Sequence, residues 1–286
     1  MAMRLDPTIV GLILLSALIH ASWNAIVKSD SDRLLSFGIV MLMGTFIGLA
    51  AVPFTEVPAP EAWPWLLASV TIHVFYYVFL LRAYALGDLS FVYPIARCLA
   101  PLLVALLAGR LVSETLTGTE KLGLFLVSAG IVGLAFARGM PARGEARALG
   151  FAVLTGITIA AYSVVDGIGA RLSGDPLGYI AWLNLLEGPW VFLFAALRRG
   201  RATLPYLRAY WWRGAAGGTI ATIGYGIAIW ALSMGAMAHV TALRETSSLF
   251  GALIGAFVLK ETFGARRVAA AAVMVAGLLL MNLRLG

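Results

Sequence analysis

The sequence predicts an all-α polytopic membrane protein: ten transmembrane helices forming two inverted five-helix repeats, residues 1–140 and 141–286. Three observations predict it. The 286 residues are 61% hydrophobic and 12% charged, with a mean hydropathy of +0.91, where soluble domains carry about 25% charged residues. Ten apolar stretches are long enough to cross the hydrocarbon, which takes roughly 20 residues each. Finally, an ionisable pattern recurs: Arg97 precedes Glu114-Thr115 by the same seventeen residues that separate Arg244 from Glu261-Thr262, 147 positions later, with an apolar run after each arginine.

The first five spans are read at 7–28, 34–53, 62–85, 89–111 and 119–138. Span 1 is too long for a cleaved secretory signal and ends at Lys28, so it is expected to be retained. His20, Trp23 and Asn24 fall at i, i+3 and i+4 on one face of it. Span 2 carries Gly44 and Gly48 at the spacing that lets helices approach closely. Span 3 repeats the polar stripe with His73, Tyr76 and Tyr77. Span 4 holds Arg97 and Cys98 between Pro94 and Pro101, which are expected to kink or open the helix. Span 5 follows the Glu114-Thr115 loop.

The composition break RGMPARGEAR, residues 138–147, separates the halves. Spans 6 to 10 are read at 147–171, 178–198, 209–234, 239–260 and 266–284. Span 6 carries Tyr162 and Asp166 at i, i+4; span 7 carries Asn184 with Glu187, and Pro189. Span 8 is preceded by Arg198–Arg213, a basic run interleaved with aromatics, read as a solvated loop entering the interface, and bears Gly214 and Gly218. Span 9 places Thr241, Arg244 and Ser248 on one face beside Glu245, with Gly251 and Gly255 beyond. The tyrosine, valine and aspartate at 162, 165 and 166 lie against His20, Trp23 and Asn24 in the first copy. A unit with an odd number of crossings, duplicated in tandem, inserts its second copy upside down, the symmetry of alternating access.

Several function classes are excluded. No polar interval between spans has room for a nucleotide-binding or catalytic domain. Phosphate-loop, zinc-protease and nucleophile-elbow motifs are missing, so no enzyme is expected. One cysteine and three histidines are too few for a metal centre, and no cofactor is expected. The net charge of +7 reflects Lys and Arg crowding the loops, not a nucleic-acid partner. Fourteen of the 21 Lys and Arg lie on the side opposite the termini and five on the side of the termini, which places the termini outside.

Burying a charge at mid-membrane costs about 2.5–3.5 kcal/mol, so such groups are expected to face a cavity or one another. The deep set is His20, His73, Arg97, Asp166, Glu187, Arg244 and Glu245. The arginines stay charged and grip carboxylate or phosphate-type groups at two points. Arg97 and Arg244 are therefore expected to hold an anionic substrate group, or else to be locked with Glu187 and Glu245 as structural ties. Glu187 and Glu245 are candidates for proton coupling or for a substrate ammonium group. His20, Trp23, Asn24, His73, Tyr77, Tyr162 and Asp166 are expected to line the cavity.

The segments APLLVALLAGRLVSET (100–115), SLFGALIGAFVLKET (248–262) and SALIHASWNAIVK (16–28) resemble the EamA-like branch of the drug/metabolite transporter superfamily, and the resemblance covers nearly the whole length. It implies ten helices in two inverted repeats and the movement of a small metabolite, usually outward, by proton coupling or exchange. It also implies cytoplasmic termini, opposite to the charge count. Many members of this family have apolar or small residues where Arg97 and Arg244 stand; a subset with arginines resembles membrane proteins associated with phosphonate use, which suits an anionic substrate. The expectation is an exporter of an amino-acid-like, organic-acid or phosphonate metabolite, in the bacterial inner membrane, in contact with lipid and with protons, as monomer or homodimer. A lipid-handling protein such as a flippase is the alternative.

Overall fold

A computed structural model describes residues 6–28, 30, 32–87, 89–137, 146–257 and 264–282. The second copy of the repeated carboxylate, Glu261-Thr262, and the 140/141 boundary between the halves lie outside the described residues. All the regular structure among them is helical: α1 Pro7–Lys28, α2 Arg33–Ala51, α3 Trp63–Leu86, α4 Leu89–Leu111, α5 Gly118–Phe136, α6 Ala146–Leu172, α7 Pro176–Arg199, α8 Thr203–Met234, α9 Met237–Arg244, α10 Thr246–Phe257 and α11 Ala265–Asn282, with three single 3-10 turns. In hydrocarbon no water is available to the backbone, and helices satisfy it within one segment. Seven stretches of the described residues are long and apolar enough to cross a membrane, the last of them running through α7 and α8.

Helix ends follow local chemistry. The Asp32 carboxylate accepts the amides of Leu34 and Leu35, both at 3.1 Å, starting α2. Thr117 and Glu120 form a reciprocal capping box at the start of α5. Asp175 caps α7, with Pro176 in its first turn. α4 closes with the Glu114 amide donating to the Ala108 carbonyl at 3.2 Å around Ser113, a non-glycine residue at φ 56°, where glycine is the usual occupant.

The expected ninth helix is divided at Glu245. The Glu245 amide splits its bond between the carbonyls of Thr241 and Ala242, 3.2 Å each, and the Ser248 amide returns to the Glu245 carbonyl at 2.9 Å. This three-residue register tightens one turn and separates α9 from α10. Pro94, Pro101 and Pro189 instead lie inside helices that continue through them. By its missing N–H, Pro101 deprives the Arg97 carbonyl of its helical donor.

The chain folds into two compact units that are not the two sequence halves. The first comprises residues 1–14, 75–164 and 235–286; the second comprises 15–74 and 165–234. In the first, α5 lies along α11 and α4 packs on α5 and α9. The α5–α11 seam is built on glycine: a Cβ at Gly123 would stand 2.6 Å from the Gly277 carbonyl oxygen. Beside it, Ala83, Val92, Ile95, Ala96, Ala135, Ala148 and Ala152 form a tight core of small and branched residues.

In the second unit α2 lies against α7 and α8. A Cβ at Gly48 would come within 2.6 Å of the Ala181 carbonyl oxygen, and one at Gly188 would collide with the backbone of Met41. Gly214 and Gly218 press on Ile39 and Met43 of α2, so the expected close crossings hold there. Gly251 differs, since a Cβ there would meet nothing within 4 Å. Within each unit, helices from corresponding positions of the two halves pack together: α2 with α7, α4 with α9, α5 with α11.

Candidate functional site

The first unit buries an arginine–glutamate pair at the division of its ninth span. Arg97, on α4 and 3% exposed, donates from Nε to Oε2 of Glu245 at 2.8 Å; Glu245 is 0% exposed. Its Nη2 reaches the Ser247 hydroxyl at 3.4 Å, and that hydroxyl lies 3.4 Å from the Tyr93 hydroxyl. Tyr93 stands one turn before Arg97, so the two share a helix face. The tightened turn at Glu245 matters here: it turns Arg244, Glu245 and Ser247 inward within four residues, and all three are buried.

Arg244 closes α9 at 5% exposure and acts electrostatically on Glu245 and Tyr93. Tyr76, Tyr93 and Tyr162 are the phenolic neighbours of Arg97, and Tyr76 meets Tyr162 edge to face at 5.4 Å and Tyr77 at 5.1 Å. Among the described residues this brings Arg97, Arg244 and Glu245 beside the phenols of Tyr76, Tyr93 and Tyr162. The second carboxylate oxygen, Glu245 Oε1, is buried with no hydrogen-bond partner among the described residues. Such an acceptor is costly unless something donates to it.

Two further carboxylates brace this unit. Glu114 of the repeated pattern accepts the Met237 amide at 2.9 Å, which caps α9 at its positive end. Glu120 lies 3.3 Å from Nε2 of His239. The repeated carboxylate thus serves as a helix cap in its first copy.

The second unit gathers a different set. Asp166 is 0% exposed; its Oδ1 accepts from the Tyr179 hydroxyl at 3.0 Å and its Oδ2 from the Tyr225 hydroxyl. His73 stands edge-on to Tyr225 at 5.7 Å, and its Nδ1 is 2.9 Å from the Ser69 carbonyl oxygen. Glu187 is buried and has His73 as an electrostatic neighbour. On α1, His20 packs edge to face on Trp23 at 5.3 Å, and Trp23 meets Phe37 at 6.1 Å. The Asn24 amide donates to the His20 carbonyl at 2.8 Å, so it is spent on its own helix.

Helical spacing paired residues that the structure assigns elsewhere. Tyr162 and Asp166 share a face of α6, yet Tyr162 packs on Tyr76 in the first unit and Asp166 bonds two tyrosines in the second. His73 belongs to the second unit and Tyr76 and Tyr77 to the first. Sequence reasoning missed Tyr93, Ser247, Tyr179, Tyr225 and Glu114 as a cap. Tyr93 was legible from its i, i+4 spacing to Arg97; the two tyrosines on Asp166 come from α7 and α8 and carried no spacing signal.

The family model described as the EamA-like transporter family matches residues 7–136 and again 146–283. No curated protein matches the chain. Among solved structures, a crystal structure described only as that of a protein is similar over 96% of this chain and 94% of its own, at 20% sequence identity and a TM-score of 0.73, a likeness of fold.

Proposed function

Because the chain belongs to the EamA-like transporter family, whose members are membrane transporters, we propose that it is a secondary active transporter of a small polar metabolite bearing an anionic group, amino-acid-like, organic acid or phosphonate. It spans the membrane ten times as two inverted repeats, 1–140 and 141–286, and works by alternating access in the outward direction. The observation that carries this reading is the buried charge of the first unit, where Arg97 and Arg244 face one carboxylate, Glu245. Both guanidinium groups act on Glu245, and the bidentate geometry of a guanidinium suits carboxylate or phosphonate oxygens. Tyr77 and Tyr162 supply aromatic wall. Glu245 Oε1 takes a substrate ammonium group or a coupling proton, and Glu187 is the further carboxylate proposed for coupling.

A thermal-shift screen of the purified protein against amino acids, organic acids, phosphonates and quaternary amines tests it. Anionic compounds raise the melting temperature of the wild type, and Arg244→Ala weakens their binding about 10- to 100-fold. Equal stabilisation of wild type and Arg244→Ala refutes the site. The lipid-handling alternative draws on exposed Trp211 and Trp212 beside Arg213, whose guanidinium lies over Tyr210 and Trp212 at 5.4 and 5.2 Å; stabilisation by phospholipid with no soluble ligand favours it.

A further inference from the structure

We infer that Asp166 is a proton-carrying site, a carboxylate held between two phenols whose protonation changes which helix it grips. The inference rests on the reading of the chain as a secondary transporter, and adds to Glu187 and Glu245 a third acid through which a proton couples.

Asp166 lies on α6, Tyr179 on α7 and Tyr225 on α8, so the two phenol hydrogen bonds tie three helices to one carboxylate. Gly169, one turn beyond Asp166, makes the grip possible: a Cβ there would stand 2.7 Å from the Tyr179 hydroxyl oxygen. No Lys or Arg bonds Asp166 among the described residues. The Arg171 guanidinium on the same helix donates to the Leu232 carbonyl instead, from Nε at 3.2 Å and Nη2 at 3.0 Å. Among the described residues the hydrogen bonds to Asp166 thus come from neutral donors.

Polar groups of α3 and α7 lie around the two phenols. From α3 come His73, edge-on to Tyr225, and Ser69, 3.2 Å from His73 Nδ1 and against the Tyr179 phenol. From α7, besides Tyr179, comes Glu187, whose electrostatic neighbour is His73. Hydroxyl and imidazole groups predominate, and these rotate or re-tautomerise without moving a backbone.

An ionised carboxylate only accepts, so both phenols donate to it. When a proton arrives from water, one carboxyl oxygen gains an O–H bond and becomes a donor. With that O–H aimed at it, the phenol on the same oxygen accepts instead and turns its own O–H to Ser69 or to the His73 side. One of the α6–α7 and α6–α8 ties is exchanged, and the proton leaves by the reverse exchange.

Infrared difference spectroscopy of the purified full chain, acidified from about pH 9 to about pH 4, reads the event without any substrate. The wild type gains the carbonyl stretch of a carboxylic acid shielded from water. Asp166→Asn loses that band; Glu187→Gln retains it. Tyr225→Phe, which keeps the shape of the site, also retains the band but at a shifted frequency, since one hydrogen bond to the acid is gone. Absence of the band in the wild type, its survival in Asp166→Asn, or an unshifted band in Tyr225→Phe overturns the inference. A failure here beside anionic ligands that still stabilise the wild type leaves the transporter reading intact, and the converse result separates the two the other way.

Discussion

The two units bury opposite charges. Among the described residues the first buries Arg97, Arg244 and Arg267 as well as Glu245, whereas the second buries Asp30, Asp166 and Glu187 with no equally buried Lys or Arg. The difference lies in how an acid is held. Glu245 meets a guanidinium at 2.8 Å, a partner charged at every physiological pH. Asp166 meets two tyrosine hydroxyls, partners that can donate or accept. The first acid is held by a fixed charge, the second by groups that can exchange the roles of donor and acceptor.

The comparison breaks most sharply at Arg97. Arg97→Ala leaves Glu245 buried without its guanidinium and is expected to cost about 3–5 kcal/mol, measured by denaturant unfolding in detergent. The double substitution Arg97→Leu with Glu245→Leu should recover most of that loss, because both charges then go together; equal losses in single and double variants mean that the two residues do not act as a pair.

What the units share can be tested next. Gly123→Val in the α5–α11 seam and Gly188→Val in the α2–α7 seam each overpack a backbone contact and are expected to cost about 1–3 kcal/mol. Similar losses make the glycine seams equivalent. A loss confined to one unit shows that the other can move its helices apart.

A smaller effect is expected at the phenols. Tyr179→Phe strands Asp166 Oδ1 and should cost about 1–3 kcal/mol, less than Arg97→Ala because the second phenol and a proton remain available. If the two substitutions cost the same, the distinction between a fixed ion pair and an exchangeable carboxylate fails.

The smallest concerns left-handed backbone. In the second unit the positive-φ residues are Gly174 and Gly200, whereas the first holds Ser113 at φ 56°. Ser113→Gly is expected to stabilise by up to about 1 kcal/mol by relieving that strain. A loss instead points to a role for the Ser113 side chain beside the Glu114 cap.

Much of the local structure was legible. The apolar runs led to helices such as α4, whose bounds Leu89–Leu111 match the expected span, because apolar length and backbone satisfaction are properties of a segment alone. The basic run read as a loop before span 8 is instead helical from Thr203, the start of α8. The split at Glu245 was not legible: T-S-S after the glutamate reads as ordinary membrane-helix polarity, and the tightened turn appears only in the carbonyl pattern. The stripes on α3 and α6 run across the division between the units, so residues one turn apart, such as Tyr162 and Asp166, belong to different units.

By itself the sequence determined that lipid is the solvent, that the backbone must close its hydrogen bonds within helices, that a segment was duplicated, and that a small set of ionisable residues had to be sheltered. Each follows from composition, length and period. Only the tertiary structure decided the partners: that Arg97 meets Glu245, 148 positions away, that Asp166 is clasped by tyrosines of α7 and α8, and that Glu114 caps α9. Those choices depend on how far one helix is rotated and slid against another, which glycine seams and shape complementarity set, and which no repeat along a single chain encodes.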